Sequence, residues 1–219
     1  LTRFHGGVRV PSSTVENLAH TQRETLHADG KARIARAVAE QVPNDCSLIL
    51  NIGTTTEAIA KALLHHRGLR VITNNLNVAA ILSSNPECEV IVAGGVVRAR
   101  DRGIVGEAAV DFITQFKVDH AVIGASALDE DGAMLDFDYR EVRVAKAIMQ
   151  NARNVMLVAD AMKFTRTAPV RIGHLSDVDV FVTDQPPPEP VISYCRDNGV
   201  RLEIAQGRNL NDNAVEPAA

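Results

Sequence analysis

An α/β fold, a mostly parallel sheet with helices on both faces, is predicted by three features of the 219-residue sequence. Short apolar runs such as Ser47–Ile52, Arg70–Thr73, Glu89–Ala93 and Ala121–Gly124 recur along the chain. Each is followed by a segment with helical spacing of its apolar residues. Strands that read as continuous apolar runs are those covered on both faces, and regular strand–helix alternation places them in a parallel sheet. Finally, aromatics make up only 4% of the residues and Trp is absent, so the core must be built from Val, Ile, Leu and Ala.

The elements follow in order. Residues 1–28 carry turn material, His5-Gly6-Gly7 and Pro11-Ser12-Ser13, and read as an irregular arm. From Asp29, the expected cap, Ile34, Val38 and Val42 stand four apart and predict a helix that stops near Pro43. After the first strand, Gly53-Thr54-Thr55-Thr56 breaks the run and a helix is expected over Glu57–Leu64. Further helices are expected from Asn74-Asn75 to Leu82, over Ala108–Phe116, Asp138–Asn151 and Val191–Asn198. Further strands are expected at Asn154–Ala159, Asp179–Thr183 and Val200–Ile204. Segment 125–137 suggests a small lobe at the sheet edge. Domain 29–206 is followed by a polar tail, 207–219, read as disordered.

Composition narrows the function. Against 23 Lys+Arg stand 27 Asp+Glu, a net charge of −4, which disfavours a nucleic-acid surface spread over this chain. Three scattered cysteines, Cys46, Cys88 and Cys195, form no disulfide framework and suit a reducing cytoplasm. No apolar stretch approaches the roughly 18 residues of a membrane span. The seven histidines show no ligand spacing, so no metal site is expected, and no cofactor fingerprint or Gly-Lys-Ser/Thr phosphate loop is present.

Ligands of open parallel sheets bind beyond the carboxyl ends of the strands. Here those ends carry Gly53-Thr54-Thr55-Thr56, Thr73-Asn74-Asn75, Gly94-Gly95 and Gly124-Ala125-Ser126. The first loop suits an anion: glycine admits close backbone approach, and the amides that open a helix favour negative charge. Helix capping by the threonines is the alternative. Arg102, in the basic loop with Arg98 and Arg100, and Lys163 would add positive charge; solvated surface positions or ion pairs are the alternatives. Acidic residues cluster at Asp136, Asp138 and Glu141; Asp138 and Glu141 lie three apart on a helix and face one way, either as an acid/base pair or with Asp136 or Asp138 as the cap and Glu141 as a first-turn carboxylate.

The ordered series His5-Gly6-Gly7, Ile52-Gly53-Thr54-Thr55, Thr73-Asn74-Asn75, Ala93-Gly94-Gly95, Gly106-Glu107 and Asp160-Ala161-Met162-Lys163-Phe164 resembles the effector domain of DeoR-family bacterial transcription repressors. The resemblance spans roughly residues 3–205. It implies a Rossmann-like fold related to ribose-5-phosphate isomerase, glucosamine-6-phosphate deaminase and CoA transferases. It also implies a homo-oligomeric sensor of a small phosphorylated polyol or sugar, with glycerol 3-phosphate the expected inducer, and no enzymatic activity. Operator DNA would be reached only through an N-terminal helix-turn-helix, for which the arm 1–28 leaves no room. Two positions depart from the family pattern: Asn51 stands where Asp is common, and Ala145, with Lys146 beside it, where Lys is common. Both departures weaken an isomerase or deaminase reading more than a sensing one.

Overall fold

A computed structural model describes residues 2–4, 7–9 and 20–205. The elements in chain order are β1 (Thr2–Phe4), β2 (Gly7–Arg9), α1 (His20–Thr25), α2 (Ala28–Gln41), β3 (Ser47–Leu50), α3 (Thr54–Ala62), β4 (Leu69–Thr73), α4 (Leu76–Leu82), β5 (Cys88–Val92), β6 (Val96–Val97) and β7 (Ile104–Val105). There follow α5 (Glu107–Ile113), β8 (Val118–Gly124), β9 (Ala127–Leu128), β10 (Ala133–Asp136), α6 (Tyr139–Gln150), β11 (Ala152–Val158), β12 (Val170–His174), β13 (Val180–Thr183), α7 (Glu189–Asp197) and β14 (Arg201–Ile204).

Seven strands form one sheet in the order β14-β13-β11-β8-β3-β4-β5, and every neighbouring pair is parallel. The pleat sends alternate side chains to opposite faces. Leu48 and Leu50 of β3 join Ile34 and Val38 of α2 and Ile59 of α3 in one core layer. Ile49 joins Ile113 of α5, Val142 and Ile148 of α6 and Val191 of α7 in the other. Each such side chain contributes about 1.5–3 kcal/mol by leaving water.

The order of strands decides where a ligand can sit. From β3 the chain adds β4 and β5 on one side. It then returns to β8 on the other side of β3 and adds β11, β13 and β14 outward. The reversal falls between β3 and β8, whose exits diverge and leave a crevice.

The predicted edge lobe is present: β9, β10 and β12 form a three-stranded antiparallel sheet over Ala127, Ala133, Leu135 and Ala168. Strand β12 was not expected, because Val170–His174 is half exposed and interrupted by Gly173. Two local expectations are corrected. Helix α2 is not capped by Asp29; it starts after His27, held at φ 54, and Asp29 lies in its first turn, where the helix dipole favours a carboxylate. Helix α3 begins at Thr54 rather than Glu57, because Gly53, not the threonines, breaks the chain direction. Within 1–28, read as irregular, β1 pairs with β2 and α1 forms a short helix. The motif His5-Gly6, the Pro11-Ser12-Ser13 turn and the tail 207–219 lie outside the described residues.

Among the described residues no helix is long and apolar enough to cross a membrane. Leu48 is fully buried. Leu48→Ala is expected to lower the unfolding free energy by about 2–5 kcal/mol, measured by urea denaturation.

Candidate functional site

At the β3 exit, Gly53 takes φ 152, a conformation that excludes side chains, and turns the chain into α3. The first intrahelical bond, Glu57 N to Gly53 O at 3.0 Å, leaves the amides of Thr54, Thr55 and Thr56 ahead of it. The Thr56 hydroxyl is committed within the turn, donating to Asn51 O (2.8 Å) and Gly53 O (2.7 Å). That of Thr54 reaches Arg23 O at 3.5 Å. Thr55 is buried beside them. Across the crevice, Gly124 pairs with Val158 in register, and a side chain there would approach Val158 O and Ile52 O.

The β4 exit is a fastening rather than an opening. The Thr73 hydroxyl donates to Leu50 O (2.7 Å) and accepts from Asn75 N (3.0 Å). Asn74 donates its amide to Ile104 O (3.1 Å). Asn75 caps α4 by accepting from Asn77 N (2.9 Å) and donates to Glu57 Oε1 (3.2 Å). Buried Glu57 also takes Asn77 Nδ2 (2.9 Å) and contacts His20 Nε2 of α1 (3.0 Å). Gly94 and Gly95 lie at the outer strand β5, two strands from the crevice, and Gly95 (φ 143) packs under Ile104 and Val105. Arg102 is exposed and contacts Asn77 Oδ1 at 3.4 Å. These residues shape the edge; the structure does not bring them to the switch point.

On the other side a carboxylate cluster closes around one cation. Arg98 of the basic loop donates to Asp101 (2.6 and 3.0 Å), to Asp138 (3.0 Å) and to Glu141 (2.6 Å). Asp138 caps α6, accepting from Arg140 N (3.0 Å). Burial opposes its charge, yet the bonds from Arg140 and Arg98 outweigh it and hold the carboxyl well below the usual range. Glu141 is pushed up by burial and by Asp136 and Asp101, with Arg98 opposing. Ser126 donates to buried Asp136 (3.0 Å), which ties the β8 exit to this cluster. Ala145 is buried and Lys146 is exposed, so the neighbouring lysine does not enter the cluster.

Four cations gather beside the crevice at the β11 exit. Lys163 follows Asp160, which caps a 3₁₀ turn over Ala161–Thr165. Burial lowers the Lys163 ammonium to about 8; Asp160 opposes this, and Arg166, Arg23 and Lys31 add like-charge repulsion. Lys31 is buried on α2 and donates to Arg23 O and to Leu26 O (2.6 Å). Burial lowers its ammonium also. The guanidinium of Arg23 stands 3.8 Å from Asp101 and its Nε is buried with no partner among the described residues. Arg23, Lys31 and Arg166 were not singled out from the sequence. Lys31 carried a signal, since it stands three before Ile34 on the buried stripe of α2, where a lysine is out of place. Among the described residues no group of three or more His, Cys, Asp or Glu could hold a metal ion.

A parallel sheet with a polar, cation-rimmed switch point is an open α/β domain whose strand exits can take a ligand. The family model described as "DeoR C terminal sensor domain" matches residues 26–185, and the chain belongs to that family of transcriptional repressors. Among its relatives are the glycerol-3-phosphate regulon repressors of Escherichia coli (strain K12), 49% identical over 93% of this chain and 81% of that protein, and of Haemophilus influenzae, 45% identical over 95% and 80%. The HTH-type transcriptional repressor CsqR of E. coli is 42% identical over 94% and 78%. Among solved structures, eIF2B beta from Chaetomium thermophilum aligns with TM-score 0.50 and 18% identity over 70% of this chain and 48% of that one, a likeness of fold alone. Ribose 5 phosphate isomerase A from Neisseria gonorrhoeae aligns with TM-score 0.45 and 14% identity over 67% and 56%.

Arg98→Ala takes from Glu141 its arginine partner, while Asp138 keeps Arg140 and Asp101 keeps the more distant Arg23 and Arg100, and is expected to cost about 3 kcal/mol in urea denaturation. The depressed Asp138 carboxyl gives stability that is complete above the ordinary carboxylate pKa of about 4 and is lost as pH falls toward its folded value. Asp138→Asn is expected to lack this part of the acid-side loss, read from melting temperatures across pH 2–6.

Proposed function

We propose that this chain senses a small phosphorylated polyol or sugar, glycerol 3-phosphate first, and so governs the operator-DNA affinity of a repressor of glycerol metabolism. The observation that carries the reading is the gathering of Arg23, Lys31, Lys163 and Arg166 beside the Gly53–Thr55 turn, whose amides precede the first intrahelical bond of α3. A phosphate dianion there gains charge-assisted hydrogen bonds of about 1.5–3 kcal/mol each. Gly53 lets the backbone approach, Thr54 and Thr55 offer amides, and Lys163 supplies charge. Gly124 and Ser126 line the far wall. Residues 29–206 act as the effector-binding unit of a cytoplasmic homo-oligomer.

Signalling needs an element that feels the ligand. Helix α1 is placed for that role: Arg23 O takes the Thr54 hydroxyl and the Lys31 ammonium, and His20 contacts Glu57. A ligand that draws on the same Thr54 turn shifts the position of α1, with a coupling of about 1–3 kcal/mol. Turnover is not part of this reading. Asp138 and Glu141 are held by Arg98, and glycerol 3-phosphate has no carbonyl for proton-transfer isomerisation.

Isothermal calorimetry is expected to record binding of glycerol 3-phosphate. No heat with it, with fructose 6-phosphate or with ribose 5-phosphate overturns the proposal. Affinity is expected to fall as pH rises through about 8, where Lys163 loses its proton. Lys163→Met abolishes that dependence and weakens binding at pH 7 at least about tenfold.

A further inference from the structure

We propose that Asn51 is a specificity-determining residue: its side-chain carbonyl accepts a hydrogen bond from a hydroxyl of the phosphorylated ligand. The inference rests on the phosphate reading above and adds which end of the molecule is read. Asn51 lies at the β3 exit, at the switch point, and is 2% exposed. Its main chain is satisfied: the amide donates to Val122 O (3.1 Å) and the carbonyl accepts from Thr56 Oγ1 (2.8 Å). Its Oδ1 is buried and has no hydrogen-bond partner among the described residues. Native proteins rarely leave such an acceptor unmet, and at this crevice a ligand hydroxyl would meet it.

The chemistry of the partner follows. A carbonyl oxygen only accepts, so the ligand group must donate. A hydroxyl meets that need; a carboxylate or a second phosphate does not. The position fits one small molecule. Asn51 stands three residues before Thr54, and the Thr56 hydroxyl draws the turn back onto the Asn51 carbonyl. A phosphate on the Thr54 and Thr55 amides therefore leaves a hydroxyl a few bonds away within reach of Asn51. Asn74 has a similar orphan oxygen, but its amide is anchored on Ile104 O and it belongs to the β4 exit, one strand from the crevice. A site built to bind a hydroxyl rejects the analogue lacking it, because the buried acceptor is again left unpaired.

The test is calorimetry on the full chain with glycerol 3-phosphate, its two monodeoxy analogues (3-hydroxypropyl phosphate and 2-hydroxypropyl phosphate) and inorganic phosphate. The unsubstituted chain is expected to bind at least one analogue about tenfold more weakly than glycerol 3-phosphate. Asn51→Leu, which removes the acceptor at similar volume, is expected to bring that analogue within about twofold of glycerol 3-phosphate while leaving inorganic phosphate unchanged. Asn51→Asp keeps an acceptor oxygen and is expected to keep the preference while weakening every phosphate by its charge. That variant decides the matter if the leucine variant does not fold. Equal binding of all three esters by the unsubstituted chain, a preference that survives in Asn51→Leu, or its loss in Asn51→Asp overturns the assignment. Retained phosphate binding in those cases leaves the phosphate reading standing; absence of any phosphate binding overturns both.

Discussion

Arg98 is the cation around which one rim of the sheet is arranged. One guanidinium, 10% exposed, holds Asp101 of its own loop and Asp138 and Glu141 at the start of α6. Each of those carboxylates is nearly buried, and a buried charge without a partner costs several kcal/mol. The planar fork of five donors lets a single side chain serve three acceptors, which a lysine cannot do with the same geometry. By this contact the β6–β7 ribbon, α6 and, through Ser126 and Asp136, the β8 exit are placed relative to one another.

The same contact divides the rim electrically. Carboxylates that would otherwise neutralise nearby cations are occupied by Arg98. At the β11 exit burial lowers the proton affinity of Lys163, with Asp160 opposing and Arg166, Arg23 and Lys31 adding like-charge repulsion. A site left with surplus positive charge is preorganised for an anion. Arg23 stands at the border, with Asp101 on one side and the Thr54 turn on the other. That position ties α1 to both the carboxylate cluster and the Gly53 turn.

Much of the fold was legible from the residues. Apolar runs such as Leu48-Ile49-Leu50 and Ala121-Val122-Ile123 can only be strands covered on both faces. The stripe Ile34, Val38 and Val42 can only be a buried helix face. Element ends were less legible. Asp29 looked like a cap, yet the turn at His27 depends on how α1 docks. Strand β12 lacks a pattern of its own and exists because β10 offers it an edge. Of the candidate site, the Gly53 turn, Lys163 and the shared facing of Asp138 and Glu141 were readable. Arg23 and Arg166 were not, since nothing local marks a surface arginine as converging with others.

By itself the sequence determined the α/β class, the aliphatic core, and the polar chemistry at each strand exit. These follow from local periodicity and residue type, which act over a few residues. Only the tertiary structure decided which exits meet. The reversal of strand order between β3 and β8 brings Asn51, Gly53, Gly124 and the β11 exit together and leaves Gly94 and Gly95 two strands away. It also gave Thr73, Asn74 and Asn75 partners within the chain, Leu50 O, Ile104 O and Glu57. The reason is physical: a side chain's donors and acceptors are fixed by its chemistry, but whether they are free for a ligand depends on which distant backbone groups folding places beside them.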